Sequence, residues 1–418
     1  MQLTKNQKKS KNNLALAAAS LLSATSLPSV SVADWSQEAA VLYYGENDQR
    51  VQDGSFKYNG VRTTEGEKGD NKLTLNLGID TLTGASPSGI TPSNEIQIFT
   101  SPSGNSTITH SAGKLPLDDS FKDTRLSASA NWEQPLVNEG TRGNIGASFS
   151  KEYDYLHLGL SGGLSKELAN KNTQFSVGLA FSADTLKPVG NAPIPFANEN
   201  ATKGSSTKSK KTLDAMLGVT QILSKNTILQ LNYGMSAVNG YLNDPYKWVS
   251  RVNNTGKIIE NLYESRPDSR TGHNLFGAIK QTLSDSNVLS TSARLHTDDW
   301  GIDSYTLDAK YRVGLGSRKS IEPHIRYYHQ SAADFYRPQL DASATLPQYA
   351  SADYRLAEFN AYTLGTTYRW GGKNNRDWRL TGEFYTQKPK TVALTKGQAG
   401  LDANPGFNAV MLSIGVKF

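Results

Sequence analysis

The chain runs to 418 residues, 37% of them hydrophobic and 20% charged, with 44 basic against 38 acidic side chains and no cysteine. The missing thiols exclude a disulfide framework, a Cys-ligated zinc site and a cysteine nucleophile. Net charge is +6, but Lys5, Lys8, Lys9 and Lys11 supply four of those charges near the start; without them it falls to +2, too even to predict nucleic-acid binding.

The chain begins "MQLTKNQKKSKNNLALAAASLLSATSLPSVSVADW". A basic start, the short apolar run "LALAAASLL" and the small-x-small site ending at Ala33 predict a secretory signal peptide over residues 1–33, cut near Ala33. The run is too short for a helix to span a bilayer, and nothing later approaches the roughly 20 apolar residues that a spanning helix needs. Mean hydropathy is negative. A β-barrel escapes that test, because its lipid-facing and lumen-facing residues alternate. Residues 34–70, with "AAVLYYGENDQRVQ" and "SFKYNGVRTTEGEKGDNK", fit a periplasmic lead-in, a luminal plug or two additional strands.

Period-two segments follow along the rest of the chain. "NKLTLNLGIDT" aligns Leu73, Leu75, Leu77 and Ile79 against Asn76, Gly78 and Asp80. "TRLSASANW" aligns Leu126, Ala128, Ala130 and Trp132. "GNIGASFSK" and "YDYLHLGLSGGL" lead to "TQFSVGLAFSA", with Phe175, Val177, Leu179 and Phe181 on one face. "KTLDAMLGVTQIL", "NTILQLNYGMSAV", "HNLFGAIKQTL" and "NVLSTSARLHT" come next. "DSYTLDAKYRV" sets Leu307 and Tyr311 against Asp308, Lys310 and Arg312. "SIEPHIRYYHQ", "LAEFNAYTLGTTYRW", "DWRLTGEFYTQ" and "NAVMLSIGVKF" complete a set of fourteen.

The connections carry as much information as the segments. Long polar stretches follow the first, fifth, seventh, eleventh and thirteenth segments, whereas "SKN", "SDS", "GLGSRK" and "GGKNNR" follow the sixth, eighth, tenth and twelfth. Long loops at one end and short turns at the other define the expected fold. It is an all-β, transmembrane, antiparallel up-and-down β-barrel of fourteen strands (range 12–16) over residues 71–418, with short periplasmic turns and long extracellular loops. Trp132, Trp370 and Trp378 fall at one level, as interface aromatics do. A soluble sandwich is the competing fold, but it explains neither the loop asymmetry nor an alternating strand that ends on Phe418. In a closed barrel the last strand pairs with the first, and Phe418 joins the periplasmic girdle. In the first long loop, "NEIQIFTS" and "NSTITHSA" suit a hairpin.

Six stretches in order, "LYYGENDQRV", "DTLTGASPSG", "GYLNDPYKWV", "RPDSRTGHNLF", "HTDDWGIDSYTL" and "RYYHQSAADFY", resemble a family of uncharacterised bacterial outer-membrane proteins, domain of unknown function 3570. The resemblance implies the outer membrane of a Gram-negative bacterium and no particular reaction. It also implies exported thioredoxin-like or flavin-transfer proteins as candidate partners. The closing strand resembles the C-terminal pattern read by the β-barrel assembly machinery, with Phe418 as its signal; lipid is the remaining expected partner.

For chemistry the sequence offers less. No nucleophile elbow, P-loop or Rossmann fingerprint is present. A Ser-His-Asp site is recognised by geometry, not by position in the chain. His296 with Asp298, Asp299 and His324 includes no short ligand pair at metal-site spacing, and no metal or cofactor is expected. Arg294, His296, Asp308, Lys310, Arg312, Glu322, His324 and Arg326 are expected to line the lumen, either as a hydrated path for a polar solute or as a charge ladder holding the wall. On the fourteen-strand layout Tyr246, Arg266, Arg270, Asp298, Asp299, Trp300, Asp334, Phe335 and Tyr336 gather on one extracellular arc, as a ligand site or as a salt-bridged clasp. The expected role is a channel or transport protein for a polar solute; a partner platform for a redox or secretion system and an outer-membrane enzyme are the alternatives.

Overall fold

Sixteen strands, each hydrogen-bonded to its neighbour in the chain and the last to the first, close into one antiparallel barrel. The computed structural model describes residues 35–48, 50–66, 69–100, 107–136, 139–169, 171–198, 201, 203–392, 394–398 and 400–418, so the expected leader lies outside it. The barrel strands are β1 Trp35–Glu46, β2 Gln52–Thr64, β3 Asn71–Pro87, β4 Leu117–Pro135, β5 Thr141–Lys151, β6 Tyr155–Glu167, β7 Thr173–Leu186 and β8 Lys208–Ser224. The other half comprises β9 Thr227–Gly240, β10 Ser269–Ser284, β11 Asn287–Asp298, β12 Asp303–Gly314, β13 Lys319–Gln330, β14 Phe359–Gly371, β15 Asp377–Pro389 and β16 Phe407–Lys417.

The strand count corrects the expected fourteen. The barrel starts at Trp35, not at Asn71, because residues 35–64 form two further strands. Their pattern hides them. In β2 the positions that share the face of Phe56 and Tyr58 include Gly54 and Gly60, and in β1 Leu42 and Tyr44 fall on the face of Glu38. β1 then receives β16 in a register running from Glu38 opposite Lys417 to Glu46 opposite Ala409. Closure leaves no unpaired strand edge.

Outward positions are large, apolar and open, including Leu77, Leu126, Phe175, Leu307 and Leu412. The shortest barrel strands have 11 residues. At about 3.3 Å per residue and a tilt of about 45°, such a strand covers an apolar band about 25 Å tall. Trp370 and Trp378 stack, with ring centroids 6.1 Å apart, at the end where the short turns lie.

The inner wall has two characters. On β5 to β9, Gly146, Gly159, Gly163 and Gly218 sit among Ser148, Ser161, Ser176 and Asn232, which leaves the middle of that side low, with Asp184 and Lys210 facing each other nearer the long loops. The opposite side, β10 to β15, carries a denser set of ion pairs. Such small side chains do not fill a barrel of this strand number, which is wide enough for an aqueous channel.

Candidate functional site

The five long connections interlock at one mouth of the barrel. The hairpin expected in the first of them forms from Gln97–Thr100 and Thr107–His110. A three-stranded sheet orders Ile258–Tyr263, Trp248–Val252 and Leu340–Asp341. Apolar burial holds it: Val249, Leu262, Leu340 and Ala350 form one cluster, and Ile90, Trp248 and Tyr263 another. The loop after β9 reaches Ser88 through the Trp248 amide (2.9 Å), Asp154 through the Tyr246 hydroxyl (2.5 Å), and the loop after β15 at Gly397. Those anchors are spread around the rim, so this loop crosses the opening.

A buried charge cluster ties the cap together. Arg266 pairs with Glu264 (2.6 Å) and Asp353 (2.8 Å). Arg355 bridges Asp353 (2.5 Å) and Asp244 (2.6 Å). The Lys247 ammonium donates to the Pro87 carbonyl (2.5 Å) and the Ser86 hydroxyl (3.1 Å). Three cations thus face three carboxylates. Burial works against ionising Asp353, but Arg355, Arg266 and Lys247 outweigh it and hold the carboxyl well below its usual range. For Glu264 burial wins over Arg266, with Asp244 and Asp353 adding repulsion, and the carboxyl is pushed up to about 7. Burial likewise lowers the Lys247 ammonium, against the upward pull of Asp244 and Asp353.

The expected rim residues fall into three groups. Arg270 forks onto Asp298 and lies 4.6 Å over the Trp300 ring. Asp298 also accepts the amides of Trp300 (3.0 Å) and Ile302 (3.1 Å), which shapes the turn between β11 and β12. Trp300 packs edge-on against Phe335 at 5.1 Å, with Tyr336 in the same core cluster, and the Asp334 amide donates to the Trp300 carbonyl (2.9 Å). Gly301 has φ +80° there, and a Cβ on it would overlap the Asp334 carboxylate. Asp299 accepts the Thr271 amide (2.9 Å). Arg266 belongs instead to the buried cluster. Tyr246 stands apart, donating to Asp154 and accepting the Val189 amide (3.0 Å).

Most of the expected luminal residues form cross-strand pairs on β10 to β15. Glu322 joins Arg312 (3.0 Å) and Arg369 (3.0 Å). His324 lies between Asp308 (2.7 Å) and Glu383 (2.7 Å), and Arg326 also holds Asp308 (2.8 Å). His296 contacts Asp298 (3.2 Å) and Asn274 (3.1 Å). Arg294 lies over the Phe276 ring at 5.6 Å and, like Lys310, forms no ion pair among the described residues. Both ring nitrogens of His324 are engaged, so it does not join His296 as a ligand. Asp123, Glu152 and Asp154 offer oxygens within 4.8 Å of one another at the rim, with Asp154 held by Tyr246.

Beneath the cap a cavity of about 620 Å³ opens into the lumen, with Lys210, Arg266, Arg270, Arg294 and Arg355 on its wall beside Asp353. The carboxylates stand behind the cations: Asp298 and Asp353 side chains are fully buried, while those of Arg270 and Arg355 are 34% and 54% exposed. The cavity therefore presents positive charge even though its charges are nearly balanced.

Fold and site together define a closed, all-β barrel with a charged lumen and an interlocked cap. The chain belongs to the family of proteins of unknown function DUF3570, whose sequence profile matches residues 11–418. Comparison with curated protein sequences gives no match. Among solved structures, CdiB from Acinetobacter baumannii is 10% identical with a TM-score of 0.43, covering 92% of this chain and 60% of that one. The ferric enterobactin receptor PfeA is 11% identical with a TM-score of 0.44, covering 87% of this chain and 55% of that one. The chain thus spans little more than half the length of either. A Pseudomonas aeruginosa FadL homologue is 10% identical with a TM-score of 0.39, covering 92% and 90%. Likeness at this level carries no argument about cargo.

The sequence reading did not find Asp244, Lys247, Glu264, Asp353 and Arg355. They lie in loops without periodicity, and Arg266 meets Asp353 across 87 residues of chain.

Proposed function

We propose that the protein is an outer-membrane channel of a Gram-negative bacterium, closed at its extracellular mouth by the cap, which admits small anionic solutes. The outward apolar band, the aromatic level at the short-turn end and the division into long loops and short turns support the membrane setting. The sixteen strands and the small residues on β5 to β9 support a hydrated path.

One observation carries the choice of solute. In the cavity under the cap, guanidinium groups of Arg270, Arg294 and Arg355 face the open space while their balancing carboxylates are buried or lacking. Guanidinium suits carboxylate and phosphate through paired hydrogen bonds. Reversal potentials in planar bilayers test this. Anion selectivity that falls on Arg294→Glu is the expected result. A cation-selective pore, or no conductance even after the cap sheet is removed, would overturn the proposal.

A further inference from the structure

On the glycine- and serine-rich side of the lumen three residues stand in an order that the channel reading does not use. Ser148 Oγ lies 3.1 Å from His157 Nε2, and His157 Nδ1 lies 2.7 Å from Asp184 Oδ1. The sheet register creates this line. His157 on β6 is the cross-strand partner of Asp184 on β7, and Ser148 on β5 is the partner of Gly159, two residues along from His157. All three side chains therefore share the inner face of adjoining strands.

Each member is held for a role. An ionised carboxylate only accepts, so Asp184 fixes the proton on Nδ1 and leaves Nε2 to accept the Ser148 hydroxyl. Asp184 is itself buried, and the Tyr155 hydroxyl (2.5 Å) and Lys210 ammonium (3.6 Å) occupy its other oxygen. Gly159 keeps the serine reachable by the imidazole, since a Cβ there would overlap Ser148 Oγ and press on His157 Nε2. The His157 side chain is 29% exposed, and it and Ser148 open onto a cavity of about 510 Å³. Ser150 and Arg125 line the same space, with Arg125 held by Asp80 at 3.0 Å. Lys57, also on that wall, has no carboxylate at ion-pair distance among the described residues.

The geometry points to a serine esterase site in the lumen, with Ser148 as nucleophile, His157 as general base and acid, and Asp184 as the positioning carboxylate. Its substrate class is a small carboxylic ester bearing a negative charge, which Lys57 would attract. Ser148 Oγ attacks the carbonyl carbon while its proton passes to His157 Nε2. The carbon–oxygen bond to the leaving alcohol breaks, and that alcohol takes the proton from His157. Water then gives a proton to His157 and its oxygen to the acyl carbon. The carboxylic acid departs as Ser148 recovers its proton.

The test uses the full chain in detergent, with its folded state checked by mobility on unheated gels. A fluorophosphonate probe should add its phosphonyl group to the peptide holding Ser148, as read by mass spectrometry. Ser148→Ala should abolish the adduct. His157→Ala should slow it about a hundredfold or more, with partial rescue by added imidazole. Asp184→Asn should lower the limiting labelling rate without changing the half-saturating probe concentration. 4-Nitrophenyl acetate should be hydrolysed by the native chain and not by Ser148→Ala. No adduct on the folded native chain, or an adduct on a different residue, would overturn the assignment. Neither result bears on conductance, so this site and the channel stand or fall separately.

Discussion

Arg266 and Asp353 meet at 2.8 Å with their side chains shut away from solvent, and they come from loops that leave different strand pairs. Arg266 follows β9 and Asp353 precedes β14, so one ion pair staples two of the five loops that form the cap. Glu264 holds the Nε of the same guanidinium at 2.6 Å and shares its Nη2 with Asp353. Removing one partner of a buried pair strands the other's charge and costs about 3–5 kcal/mol. Arg266→Ala should therefore loosen the cap while leaving the barrel wall intact. Protease should cut between residues 241 and 268, and conductance should rise. A variant as resistant to cutting as the parent would show that the apolar clusters alone keep the cap shut.

Glu264 gives the cap a pH dependence of definite sign. Its folded pKa, about 7, lies above the usual carboxylate range. Between about pH 4.3 and 7 the closed cap binds a proton that the opened loop does not. Stabilisation from this group is thus complete at the acid end and is lost as pH rises through 7. Asp353 acts in the opposite sense, but only below the usual carboxylate range. Lys247, lowered by burial, counts toward the alkaline side. Cap amides, corrected for intrinsic exchange, should exchange faster at pH 8 than at pH 5.5. Glu264→Gln should flatten that difference; an equal slope in the variant would assign the effect elsewhere.

The alternation on β12 makes a test of sidedness. Leu307 is half exposed on the outer face, whereas Asp308 is engaged from within by His324 and Arg326. Leu307→Arg should destabilise the barrel in lipid by about 2–4 kcal/mol if it lies near the midplane. Since the chain has no cysteine, single cysteines at 307 to 310 report access without background. A water-soluble thiol reagent should reach 308 and 310 only. Labelling of 307 and 309 instead would turn the wall inside out.

Much of this wall was legible in the sequence because a barrel strand with an apolar outer face and a polar inner face has a period of two. Leu307 against Asp308 states that contrast in two letters. β1 and β2 broke it: Gly54 and Gly60 stand on an outward face and Leu42 on an inward one, so the strands were seen as one reading among three. Arg270, Asp298 and Trp300 were found together because the register of neighbouring strands places them. The buried cap cluster and the Tyr246–Asp154 bond rest on loop paths, and loops have no period to read. His157 and Asp184 were visible as residues, but their pairing needed the register.

Phe418 closes the seam that begins at Trp35. Its amide donates to the Gln37 carbonyl (2.9 Å) and its carbonyl accepts the Gln37 amide (3.1 Å), beyond the last residue counted in β16. The ring remains part exposed at the short-turn end, two residues beyond the pairing of Val416 with Trp378. That position makes Phe418 a structural lock; the assembly signal expected from the sequence is a second, separate role, and experiment distinguishes the two. As a structural lock, Phe418 supplies two hydrogen bonds, each worth about 1 kcal/mol, plus ring burial in the interface. As an assembly signal it acts before the seam exists. Deleting Phe418 should lower the amount of heat-modifiable barrel in the outer membrane severalfold, while purified chain still folds into lipid vesicles at slightly reduced yield. Phe418→Tyr should restore cellular insertion and Phe418→Asp should not. Equal losses in cells and in vesicles would reduce Phe418 to a lock. Normal insertion of the deletion in cells would remove it from assembly altogether.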